Sequence, residues 1–560
     1  MYMHHLLIYY YNIIQKNKQT FINMTLSNLF KNESFINCYN SIENYINSYG
    51  YETNTFFINN FKSVLPEIFL TYAILLILVY GVIAANSKVE VSNSNSPVIV
   101  KNNTAPYPVV VKTITWLCIM SLLITAFIIS NDLIYDKSSI VIFSGSLTSS
   151  SLNELIRIII LTFTAICLII SIRYIKTHNL NSYEYPILVT LAATGSIILV
   201  NCNDLLLVYL AVELQSLASY VLAAFKRDKN ASTEAGLKYF LLGALSSGIL
   251  LMGCAIIYGT TGTTNLGQLH LLTVNSSNFL NIESLTVGIV FVIIGFLFKM
   301  TAAPFHMWTP DVYEGSPTSV TAFFSIVPKI AALSIVIKIL HFTFFDLIEI
   351  WQDLLIPAAV GSLVVGSFGA LYQTKLKRLL AYSSIGHIGF LLLGLITGSE
   401  DGLFSVYFYI VIYMIMSVIL FAVVLNLTTI DNKSPEVITD LTLMKKKNPL
   451  VAATLMLTLF SMAGVPPLAG FFSKFYILSA CISSSMYALA GIAVLSSVVS
   501  AVYYIRIIKC MYFDSIDTWN VNIHYNLNYI SSLIISTSLC FVIIFFIKPS
   551  YFMTLFNLFI

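Results

Sequence analysis

The sequence predicts an all-α membrane protein of about fourteen transmembrane helices. Three observations predict it. First, 57% of the 560 residues are hydrophobic and only 10% charged, whereas a soluble domain carries about 25% charged residues to wet its surface. The mean hydropathy of +0.83 says the same. Second, the chain falls into apolar runs near the ~20 residues needed to cross a bilayer, joined by short polar connections. Third, Lys and Arg concentrate in alternate connections, the bias that orients membrane helices. A net charge of +3 is small for this length, and no basic run is interleaved with aromatics. No nucleic-acid partner is expected.

In order, the spans are expected near 65–86, 111–131, 152–174, 186–201, 204–225, 236–259, 285–303, 318–341, 354–373, 378–397, 402–427, 449–478, 485–510 and 530–548. They occupy a transmembrane domain over 63–548, followed by a C-terminal tail over 549–560. Residues 1–62 read as a polar N-terminal extension, since the apolar opening Leu6–Tyr11 is too brief to span. A mitochondrial presequence would be Arg-rich and nearly free of acids; this stretch has no Arg and contains Glu33, Glu43 and Glu52.

Basic residues follow odd-numbered spans. Lys88, Lys101 and Lys112 follow the first, Arg173 and Lys176 the third, and Lys226, Arg227 and Lys229 the fifth. Lys375, Lys377 and Arg378 follow the ninth, Lys445, Lys446 and Lys447 the eleventh, and Arg506 and Lys509 the thirteenth. Even-numbered connections are poor in Lys and Arg, and several are acidic: Asp132 and Asp136, then Asp346, Glu349 and Asp353, then Glu400 and Asp401. Positive connections stay inside, so both termini are expected outside.

The eight cysteines form no CxxC pair, no two embedded histidines are spaced to clamp a haem, and no GxGxxG or Walker-type loop occurs. Redox centres and nucleotides are therefore expected in partner chains.

Ionisable residues at membrane depth cost about 2.5–3.5 kcal/mol on insertion scales. The bland alternative is a side chain snorkelling from a helix end, and depth separates the two. Glu213 lies nine residues into the fifth span, roughly 14 Å at 1.5 Å per residue. Lys329 is eleven residues into the eighth, Lys299 fourteen into the seventh, and Lys474 in the second half of the twelfth. These four are the primary site candidates. Lys238, near the start of the sixth span, is within snorkelling reach, and His387, in the tenth, either bridges a water chain or is satisfied inside the core. Lys338 and His341 lie near a helix end and read as interfacial.

Two of these lysines adjoin helix breakers. Pro304 follows Lys299 and frees the Met300 carbonyl; Pro466 and Pro467 precede Lys474 and free those of Met462 and Ala463. Irregular backbone at this depth survives only where protein or water satisfies it. The breaks fall in the fourth member of each of two five-helix groups, spans four to eight and nine to thirteen. An odd count per unit inverts the second copy, so two inverted repeats with broken helices seven and twelve are expected.

The segments Val212–Leu217, Ser232–Phe240, Phe298–Pro317, Gln373–His387 and Ala463–Tyr476 resemble the subunit 2 family of respiratory complex I NADH dehydrogenase. The resemblance covers residues 63 to 548 and is to the fourteen-helix plant and protist mitochondrial form. It implies an antiporter-like, proton-translocating subunit of the mitochondrial inner membrane, with both termini toward the intermembrane space. It also implies a Glu213, Lys299, Lys329 and Lys474 relay, with other membrane-arm subunits and lipids as partners. Flavin, iron–sulfur clusters and quinone would lie in those partner subunits. The extension and the loop at 133–151 match no string of that family. A free-standing cation/proton antiporter and a purely structural arm subunit are the competing readings.

Overall fold

The computed structural model describes residues 60–84, 107–135, 140–178, 180, 182–275, 282–428, 434–442, 444–514, 524–525, 529–547 and 549. Residues 1–59 of the extension, Lys88, Lys101, Asp136, Cys38 and the tail beyond 549 lie outside them. The chain forms two units, residues 1–64 and residues 65–560. Of the first, only the opening turn of the first helix is described.

Each predicted span is helical. The first eleven are Asn60–Ala84, Tyr107–Tyr135, Ser151–Thr177, Glu184–Asn201, Leu205–Ala223, Asn230–Thr261, Ile282–Met300, Thr318–Thr343, Phe345–Leu371, Leu376–Ile396 and Glu400–Asn426. The twelfth is split into Pro449–Ala463 and Ala469–Ser483, the thirteenth is Tyr487–Tyr512 and the fourteenth Tyr529–Ile544. Among the described residues twelve helices are long and apolar enough to cross a membrane. The two pieces of the twelfth have 15 residues each. Each piece is only about 22 Å long, short of the ~30 Å hydrocarbon core.

Burial follows composition. A helix apolar all round belongs at the centre, and the eighth, tenth and eleventh spans are 94%, 89% and 89% buried. The first and thirteenth, only 22% and 33% buried, stand at the rim. Their Leu75 and Leu495 face outward, which costs nothing beside lipid tails as apolar as leucine. Hydroxyls inside the helices satisfy themselves: Thr164 and Ser325 donate to the carbonyls of Leu161 and Ala322 at 2.7 and 2.8 Å. Spans nine and ten touch backbone to backbone at Gly366 and Gly386, where a Cβ on Gly366 would lie 2.5 Å from the Gly386 nitrogen. Six of the cysteines, including Cys167 and Cys481, are buried free thiols.

Four of the connections predicted to share a side do meet. His178, Lys226, Lys229, Lys375, Lys377 and Glu436, which follow the third, fifth, ninth and eleventh spans, line one cavity of about 320 Å³. Burial, then the charges of Lys226, Lys229 and Lys377, hold the His178 imidazole down to about 4. The even connections gather elsewhere. The loop after the second span, whose sequence matched no family string, contains an antiparallel hairpin of Ile140–Ile142 and Leu147–Ser149. Its turn accepts from Asn203 and Asn265 at the Gly145 carbonyl, 3.0 and 2.7 Å. Lys338 donates to Thr148 Oγ1 and to the Cys202 carbonyl, both at 2.6 Å, and His341 Nε2 sits 3.1 Å from the Leu395 carbonyl. Both residues tie helix ends together.

Candidate functional site

The seventh span ends at Met300, and the chain runs irregularly to a short helix, Trp308–Gly315. Thr301 opens the break with φ 69°, a left-handed conformation rarely adopted by a β-branched residue. The break closes on itself: Trp308 Nε1 donates to the Phe298 carbonyl at 3.1 Å. In the twelfth span Gly464, at φ 91°, ends the first half, a conformation glycine takes without steric cost. Proline 467 frees the Ala463 carbonyl, as the sequence predicts, and Lys474 Nζ donates to it at 2.9 Å.

Lys299, on the last turn before the first break, donates to the Tyr220 hydroxyl at 3.1 Å, with its ammonium 5.5 Å from that ring's centre. Glu213 is half-buried two turns earlier on the fifth span, and its carboxylate accepts from Ser216 at 3.4 Å. Glu213 and Lys299 form no ion pair; each instead has a neutral hydroxyl partner on the fifth span, Ser216 and Tyr220. Room for the Tyr220 hydroxyl comes from Gly243, where a Cβ would lie 2.1 Å from it.

Lys329 is 1% exposed, in a continuous helix that carries Pro328 just before it. Its ammonium donates to no protein acceptor among the described residues, and lies 5.9 and 5.7 Å from the ring centres of Tyr313 and Tyr413. An ammonium has three protons to donate and no lone pair; aromatic faces offset part of the charge and none of the hydrogen bonding. His387 stands within electrostatic range of both Lys329 and Lys474. Its Nδ1 is 2.7 Å from the Tyr409 hydroxyl and its Nε2 3.2 Å from that of Tyr504. Lys474, beyond it, lies over the Phe390 ring at 5.3 Å. His387, Lys474, Ser383, Ser496, Ser500 and Tyr504 border a space of about 10 Å³ for the centre of a water molecule, room for about one water.

Lys238 stands apart from this line. It pairs with Glu234 and Asp311 at 2.7 and 2.8 Å. Asp311, on the short helix after the first break, also meets Arg378 at 3.5 Å. Glu314, one turn further on, meets Arg378 at 3.3 Å and pairs with Lys375. This surface network ties the short helix to the sixth and tenth spans.

The structure therefore brings Lys329, His387 and Lys474 into one buried row, holds Lys299 against Tyr220 two turns from Glu213, and leaves Lys238 outside. Sequence reading missed the tyrosines. Tyr409 and Tyr413, four residues apart on one helical face, both approach His387, and that spacing was a usable signal. Tyr220, Tyr313 and Pro328 were likewise overlooked.

Comparison with known proteins follows the same lines. Residues 202–500 match a family described as NADH:quinone oxidoreductase/Mrp antiporter, TM. A Marchantia polymorpha protein named NADH-ubiquinone oxidoreductase chain 2 is 42% identical over 88% of this chain and 97% of its own length. Among solved structures, a chain of respiratory complex I from Thermus thermophilus superposes with a TM-score of 0.69 at 24% identity. That match covers 87% of this chain and 98% of the other. A chain of the Mrp complex from Dietzia sp. gives 0.73 at 19% identity, over 88% and 96%.

Proposed function

Because the chain belongs to the NADH:quinone oxidoreductase/Mrp antiporter membrane family, we propose that it is a proton-translocating membrane-arm subunit of NADH:ubiquinone oxidoreductase. It lies in the mitochondrial inner membrane with both termini toward the intermembrane space, beside other membrane-arm subunits and lipid. Electron carriers and quinone chemistry reside in those partners. Spans four to eight and nine to thirteen act as two inverted copies, each broken in its fourth helix.

The observation that carries this reading is the row Lys329–His387–Lys474. Two buried lysines flank a histidine whose ring nitrogens both meet tyrosine hydroxyls. A histidine can donate at one nitrogen while accepting at the other, so it passes a proton without moving. Lys329, lacking a protein acceptor, holds its charge only when water reaches it; hydration therefore sets whether it carries a proton. Glu213 supplies the switch. When its carboxylate approaches Lys299 the ammonium is stabilised, and when they part the proton moves on toward Lys329. Moving one charge across the membrane costs about 2.3 kcal/mol per 100 mV, which one rearranged buried ion pair can supply.

Lys329→Met in the intact complex tests this. Assembly should be normal, with redox-driven proton translocation lost; undiminished pumping would favour a structural role. The family description, which includes Mrp antiporters, supports a second reading, a free-standing cation/proton antiporter. The isolated chain in liposomes would then exchange cations without partners.

A further inference from the structure

Spans one, four, five and six line an open groove of about 1090 Å³. Its walls are apolar: Val82, Ile187, Val221, Leu237 and Phe240 line it. Val221 and Phe240 are 54% and 47% exposed. It starts at the connection bearing Arg227 and reaches Phe240, ten residues into the sixth span. That is about 15 Å, half of a ~30 Å hydrocarbon core. The groove is one leaflet deep.

Two opposite charges line it at helix ends, Glu184 at the start of the fourth span and Arg227 just after the fifth. Arg227 and Glu184 both line it, and neither has an ion-pair partner among the described residues. A guanidinium binds a phosphate oxygen bidentately. A carboxylate beside it binds a cation that donates hydrogen bonds. We propose that this groove is a binding site for one zwitterionic aminophospholipid of the inner leaflet. Its phosphate rests on Arg227, its primary ammonium on Glu184, and an acyl chain follows the Val221 wall down to Tyr220, the residue that accepts from Lys299. A primary ammonium donates to Glu184 where a quaternary one cannot, so ethanolamine headgroups are preferred over choline. Opposite charges in one groove also disfavour lipids with a purely anionic headgroup, which would meet Glu184.

The test uses the purified complex, washed stepwise in detergent and then offered deuterated phosphatidylethanolamine, phosphatidylcholine or phosphatidylglycerol, with bound lipid counted by mass spectrometry. The wild type should retain one more ethanolamine lipid per complex than either Arg227→Gln or Val221→Trp, the latter filling the groove. Its preference for ethanolamine over choline should be about tenfold, the scale of one hydrogen bond to a charged group, and should vanish in Glu184→Gln. All three positions are exposed, so assembly should survive, and Arg227→Lys should restore part of the retention. Equal retention in wild type, Arg227→Gln and Val221→Trp overturns the proposal. So does a density map of the complex with a neighbouring subunit's helix seated in the groove. Neither result depends on whether Lys329 carries protons.

Discussion

The two helix breaks share their ingredients, a proline-centred interruption and a lysine nearby, and use them differently. At the first, Lys299 precedes the break and the carbonyl of Phe298 is satisfied by the neutral indole of Trp308. Lys299 turns away to Tyr220. At the second, Lys474 follows the break and itself takes the freed carbonyl of Ala463. The first break is bonded within its own segment, while the second is tied to a charge. Surroundings differ to match: Lys474 is 7% exposed, whereas Lys299 is half-buried. A lysine at an interruption is thus not one device: before the first break it meets a hydroxyl on another helix, and after the second a backbone carbonyl of its own span.

The sharpest way to break this comparison is Lys474→Met. If the second break depends on its ammonium, proton translocation should fall by about a hundredfold or more, an extra barrier near 2.7 kcal/mol. Dye-reported acidification in proteoliposomes measures it, and pumping at wild-type rate would dissolve the distinction. Next comes Gly243→Ala, whose Cβ would press on the Tyr220 hydroxyl. A displaced Tyr220 costs Lys299 a hydrogen bond worth about 1.5–3 kcal/mol, so coupled turnover should drop roughly tenfold. Tyr220→Phe should reproduce most of that loss without steric pressure.

A smaller effect is expected from Glu213→Gln. Glu213 is half-buried and already engaged with Ser216, so the change should slow coupled turnover severalfold, about 1 kcal/mol, with assembly unchanged on a native gel. Smallest is His178→Gln on the basic face. Burial and three lysines hold the folded imidazole down to about 4, below its ordinary value near 6.5. As pH falls from 6.5 toward 4 the unfolded chain binds a proton that the folded one does not, and stability declines. The variant removes that loss and should raise thermal stability at pH 5 by under about 1 kcal/mol, given the partial exposure of the site, with no change at pH 8.

Much of this was legible in the letters. Spans, breaks and the alternation of basic connections follow from hydropathy and proline, because in lipid the backbone must satisfy itself. The freed Ala463 carbonyl was predictable for that reason. Depth along the helix also separated Lys329 from Lys238, whose ammonium ends in a surface network with Asp311. The row itself was not legible. Which helix faces a lysine is set by packing between distant segments, so Tyr313 beside Lys329 and Tyr504 beside His387 leave no trace in local spacing. Nor was the missing Glu213–Lys299 contact: a one-dimensional reading places both at depth, and packing gives Lys299 the Tyr220 hydroxyl as its partner instead.

The hairpin at Ile140–Ser149 has a mechanical meaning. Lys338 fastens it to the Cys202 carbonyl, and Asn203 and Asn265 fasten its turn, so four helix ends are stapled on that face. The opposite face surrounds a space of about 320 Å³. A segment far too short to cross a bilayer thus joins helices distant in the chain, as a rivet joins the blades of a fan.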